Sequence, residues 1–107
     1  MFTVERWNIE EMTGYHPIST FYEDFSIADS FGVPAIRDTF NRAFENWKTD
    51  YKMLTELVMV LNWKIFRWYK SNDKLAMVYN ELWEKADIYA TENLKGEELS
   101  YFYRTTD

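Results

Sequence analysis

Apolar residues recur at every third or fourth position through most of the chain from Ile36 to Ala90, and this spacing constrains the fold more than any other feature. Ile36, Phe40, Ala43, Phe44, Trp47 and Tyr51 form one run, and Leu54, Leu57, Val58, Leu61, Ile65 and Trp68 form a second. Leu75, Val78, Tyr79, Leu82, Ala86, Tyr89 and Ala90 form a third. An α-helix turns once in about 3.6 residues, so each run gathers on one side of a helix and has to be covered by another element. The strict alternation of a half-buried strand is confined to Phe2-Thr3-Val4-Glu5.

The breaks between runs carry the chemistry of helix ends. Thr20 with Glu23 three residues later reads as a capping box, and Phe21, Phe25 and Ala28 then share one face of a first helix. Gly32 is expected to end that helix in a left-handed conformation, and Pro34 suits the first turn of the next, where no amide donor is needed. Thr49-Asp50 and Ser71-Asn72-Asp73 supply caps, and Gly96 supplies a stop ahead of the acids Glu97 and Glu98, which favour a helix start. The spacing predicts helices over about 21–31, 34–48, 51–70, 74–94 and 97–104, with an irregular arm over 1–18 that contains Gly14 and His16-Pro17. Short connections favour antiparallel neighbours. The expectation is an all-α, compact bundle of four to five helices, forming one domain over 1–107.

The third helix is apolar on two sides. Met59, Trp63 and Phe66 fall nearly opposite the Leu54–Leu61 stripe, so this helix is either central or offers an interface. Most of the aromatic residues follow helical spacing and read as core. Met59, Trp63, Phe66, Trp83 and Tyr101-Phe102-Tyr103 exceed what one stripe per helix requires, and such residues are enriched where proteins meet.

Charge is unevenly distributed. Residues 1–36 carry six acids and one base, 37–70 four acids and seven bases, and 71–107 eight acids and four bases, which sums to −6. An acidic body repels phosphates, so a direct nucleic-acid ligand is not expected and a basic protein surface is. Lys52, Arg67 and Lys70 lie near Trp63, a mixture that suits stacked bases, but Glu56 shares that patch and ion pairs, internal or between subunits, are the favoured reading.

With no cysteine and only His16, the chain has no thiol nucleophile, no disulfide and no histidine cluster. Glu81, Glu84 and Asp87 share a helix side but lack the Glu-x-x-His pairing of a di-metal bundle, and read as a solvated stripe. His16 precedes Pro17 in a turn-like arm and joins no recognisable catalytic set, and there is neither a glycine-rich phosphate loop nor a nucleophile elbow. No enzyme activity and no cofactor are expected. An uncatalogued carboxylate site is the rival to that view, and two carboxylates with raised pKa values in one pocket would mark it. The residues from Met1 to Glu11 are acidic without an apolar run, unlike a signal peptide, and no stretch approaches the roughly 20 apolar residues of a membrane span. A cytoplasmic setting without membrane contact follows as the expectation.

The segments HPISTFYEDFSIADSFG, LTELVMVLNWK and NLKGEELSYFYRTTD resemble small acidic proteins carried by phages and conjugative elements. In size and charge the chain is also similar to anti-CRISPR proteins. That resemblance implies a compact, cofactor-free inhibitor that occupies the nucleic-acid groove of a CRISPR nuclease. It transfers no individual site residue. The residues expected to meet such a partner are Glu23, Asp24 and Asp29 on the first helix and Glu81, Glu84 and Asp87 on the fourth. The alternative is a structural or regulatory homodimer built on Met59, Trp63 and Phe66.

Overall fold

The computed structural model describes residues 17–106. Five helices follow one another: α1 (Pro17–Asp29), α2 (Val33–Trp47), α3 (Tyr51–Trp68), α4 (Asp73–Asn93) and α5 (Glu97–Thr106). Among the described residues there is no strand, and the fold is an all-α bundle. The alternation at Phe2–Glu5, the arm and His16 lie outside the described residues, as do the acids Glu5, Glu10 and Glu11.

Each expected helix is present, with its ends set by local chemistry. Asp50 Oδ1 accepts from the backbone N–H groups of Lys52 and Met53 at 3.1 and 3.2 Å, and Asn72 Oδ1 accepts from Leu75 N–H at 3.2 Å. These are the free amides that open α3 and α4. Three ends differ from expectation. α1 already begins at Pro17, where proline needs no hydrogen-bond acceptor, so Thr20 lies inside the helix and is not its cap. Gly32 has φ 104° and ψ −175°, which is not the left-handed helical conformation but one open mainly to glycine. Its N–H donates to Ala28 O at 3.1 Å and its carbonyl accepts from Ile36 N–H at 3.2 Å, so this single residue closes α1 and opens α2. α4 ends at Asn93, with Leu94 as its extended cap; Gly96, at φ 61°, instead accepts from Ser100 N–H at 3.0 Å and starts α5.

The core is made of the predicted stripes. Phe21, Phe25 and Ala28 of α1, Ile36, Phe40 and Phe44 of α2, and Leu75, Val78, Tyr79, Leu82, Ala86 and Ala90 of α4 are buried, and Phe102 of α5 closes one side. α3 is the centre. It packs most extensively against α4 and also meets α1, α2 and α5. Being covered on several sides, it buries Thr55, Val60 and Lys64 in addition to Leu54, Leu57, Val58 and Leu61. Several aromatic residues sit otherwise than expected. Trp47 lies at the surface although it follows the α2 stripe, because α2 ends there. Trp83 packs against the core, Phe102 is buried, and Tyr101 stands edge-on to Tyr51 with ring centroids 5.3 Å apart, whereas Tyr103, like Trp47, is exposed.

Among the described residues no helix is long and apolar enough to cross a membrane.

Candidate functional site

The most elaborate polar arrangement lies where α1 meets α3. On α1, Tyr22, Ser26 and Asp29 form a stripe at helical spacing that Ser30 continues in the following turn, and on α3 Lys64, Arg67 and Trp68 form the facing one. Lys64 Nζ stands 2.7 Å from Asp29 Oδ2, and the two side chains are only 2% and 9% exposed. An ion pair taken out of water in this way is tolerated only when further hydrogen bonds satisfy both ions. Here they do. Lys64 Nζ also donates to Ser26 Oγ at 3.1 Å and lies over the Tyr22 ring, 4.6 Å from its centroid, with Tyr79 and Trp68 at 5.8 and 5.9 Å. Asp29 accepts from Trp68 Nε1 at 3.1 Å through Oδ2, and from the Tyr79 hydroxyl through Oδ1. Burial, reinforced by the bond to Asp29, pushes the Tyr79 phenol far above its ordinary range, so Tyr79 stays a neutral donor.

Beside this network is a cleft of about 470 Å³ between α1 and α3. Arg67 sits at its edge, its guanidinium 4.3 Å above the Trp68 ring centroid. A second cleft, of about 440 Å³, runs between α1 and α2 and is lined by Asp24, Ile27, Phe31, Asp38 and Arg42. Phe31 is 76% exposed there.

The residues singled out in the sequence separate into groups. Glu23, Asp24 and Glu84 lie at the surface. Asp29 does not. It was expected among the outward acids, but its position one turn after Phe25 turns it toward Lys64 and Tyr79, where its charge is neutralised. Glu81 is exposed but holds Arg37 of α2 in a two-pronged contact at 2.6 and 3.2 Å, which lowers the Glu81 pKa. Asp87 is half-buried. Of the apolar group, Met59 packs against the core, whereas Trp63 and Phe66 are 42% and 69% exposed. Trp63 meets Tyr22 edge-on, with ring centroids 6.4 Å apart. In the patch of Lys52, Arg67 and Lys70, Arg67 lies over Trp68, and Lys52 and Lys70 lie over Tyr51 and Tyr69.

Glu56, on the same helix, is half-buried with Oε2 lacking a hydrogen-bond partner. Burial, and secondarily the charge of Asp50, pushes its carboxyl up to about 7. Among the described residues no cluster of three or more His, Asp or Glu side chains is placed to hold a metal ion.

Lys64 is the residue that sequence reasoning missed. Its signal was a charge inside the apolar stripe, one turn from Leu61 and from Trp68, where a solvated lysine does not belong.

No protein-family model matches the chain, and neither a curated protein nor a solved structure matches it.

Proposed function

We propose that the chain is a non-enzymatic binding protein of a mobile element that covers a basic surface on a protein target, and in its most specific form the nucleic-acid channel of a CRISPR nuclease. The observation that carries this reading is the pair Glu23 and Asp24 on the outer side of α1. Partial burial and the neighbouring Glu23 charge raise the Asp24 pKa, and Arg42 offsets this only in part. Two carboxylates that repel each other at a surface are relieved when a partner brings lysine or arginine, which favours association and speeds it at low salt. Glu84 extends the acidic surface on α4, and the net charge of −6 adds long-range steering toward a basic target. Glu81, already held by Arg37, contributes less.

Titrating the protein against guide-loaded CRISPR nucleases, with target-DNA binding followed by fluorescence anisotropy, tests this reading. The expected result is displacement of DNA that weakens with added salt and in the triple variant E23K/D24K/E84K. Equal displacement by the variant removes the electrostatic mechanism, and no displacement from any nuclease removes this class of target.

A second reading, a regulatory homodimer, draws on one observation: Trp63 and Phe66 leave apolar surface on one side of α3. Sedimentation velocity separates the two. A dimer dispersed by W63D favours self-association, and a monomer at all concentrations favours an outside partner.

A further inference from the structure

Two side chains at the cleft between α1 and α3, Ser26 and Arg67, carry side-chain donors that meet no acceptor among the described residues. Ser26 Oγ accepts from Lys64 Nζ at 3.1 Å, so the hydroxyl proton remains to be given, and the ammonium behind it polarises the O–H bond. The Arg67 guanidinium carbon lies 4.3 Å over the Trp68 ring centroid, a cation–π contact that holds the group at the edge of the cleft. Both side chains line the same cleft. Asp29, the one carboxylate in that lining among the described residues, is occupied at Oδ2 by Lys64 and Trp68 and at Oδ1 by Tyr79. Lys64 and Asp29 cancel, so Arg67 leaves the described lining with a net positive charge within a chain of net charge −6.

We propose that this cleft binds the oxyanion of a small molecule, a carboxylate or a phosphate monoester, through the Ser26 hydroxyl and the Arg67 guanidinium. Charge-assisted donors in a fixed geometry select oxyanions, and a planar guanidinium suits their paired oxygens. The cleft is open on its outer side, so a small anion can reach both donors, and the Tyr22 ring offers an apolar wall for the body of the ligand. Lys64 does not touch the ligand. It orients Ser26 and supplies positive potential from behind.

The test is a ¹H–¹⁵N titration with inorganic phosphate and, separately, with benzoate, against sodium chloride at matched ionic strength. Saturable shifts are expected at the amides of Ser26, Ser30 and Arg67 and at the Trp68 indole N–H, and the tighter of the two anions identifies the class. R67Q is expected to weaken binding by about tenfold or more, with R67K in between, because lysine keeps the charge and loses the fork. Arg67 is exposed, so these variants keep the fold; S26A is the less decisive change, since it removes a partner from buried Lys64. The proposal is overturned if neither anion gives saturable shifts, if R67Q binds as the parent does, or if the shifts spread over surface lysines as they do with chloride.

Discussion

Lys64 of α3 and Asp29 at the last turn of α1 form a 2.7 Å ion pair almost wholly removed from water, the two residues lying on helices that meet at the side of the bundle. Coulomb attraction between them is strong in such surroundings, but removing two charges from water costs several kcal/mol per ion, so the net stabilisation is small. The pair's larger effect is on geometry. Only one register of α1 on α3 brings Asp29 to Lys64, Trp68 and Tyr79 together.

Removing one member of the pair is therefore expected to be worse than removing both. D29N leaves Lys64 charged and buried, with an expected loss of about 3–5 kcal/mol in urea denaturation. The double variant D29L/K64M should recover only part of that loss: it removes both buried charges, but Trp68 Nε1–H loses its Asp29 acceptor and Tyr79 keeps only the Phe25 carbonyl. A D29N protein as stable as the parent would mean that water reaches the pair.

Tyr79 supplies a second measurement on the same network. Y79F strands Asp29 Oδ1 and should lower stability by about 1–3 kcal/mol at neutral pH. Its pH dependence has a definite sign. The folded-state pKa of Tyr79 is raised well above its ordinary value of 10.0, so the folded protein keeps a proton that the unfolded chain releases. This contribution is complete below that value and is lost as pH rises beyond it. The alkaline fall in stability should be shallower in Y79F, once the other tyrosines common to both proteins are accounted for.

Glu56 has the same sign, but acts near neutrality. Its carboxyl titrates at about 7 in the fold against an ordinary 4.5, so the folded state binds the proton more tightly. Stability is highest below the unfolded value and falls as pH rises between the two. Solvent reaches part of the group, which limits the effect to about 1–2 kcal/mol. E56Q, a neutral mimic, should match the parent near pH 4.5 and exceed it increasingly toward pH 8, read as urea midpoints. A constant difference across that range would show that Glu56 does not titrate there.

Asp50 joins the helix cap to this titration. D50A removes the acceptor for Lys52 and Met53 N–H and should lower stability by about 1 kcal/mol. D50N keeps an acceptor while deleting the charge, so it should retain most of the cap and still move the Glu56 titration downward. Carbon-detected NMR titration of the Glu56 carboxyl distinguishes the two effects.

Much of the bundle was legible from spacing alone, because burial of an apolar stripe is a local demand of each helix. Phe25, Ile36, Phe40, Leu61, Tyr79 and Ala86 are core for the reason the periodicity implied. Helix ends were less legible. The capping box at Thr20 was a valid local signal, but Pro17 can begin the helix earlier because proline needs no acceptor in a first turn. The candidate partner surface was legible only as residue types. Whether Glu81 is free or held by Arg37, 44 positions away, depends on how α2 and α4 lie against each other.

The order of amino acids determined that five amphipathic helices form and which stripe each buries, since hydrophobic periodicity and capping act within a few residues along the chain. The tertiary structure alone decided that Asp29 faces inward, that Lys64 is buried with it, and that Ser26 and Arg67 border one cleft. Those outcomes rest on contacts between side chains 35 and more positions apart, where charge, desolvation and ring geometry balance only once the helices are packed.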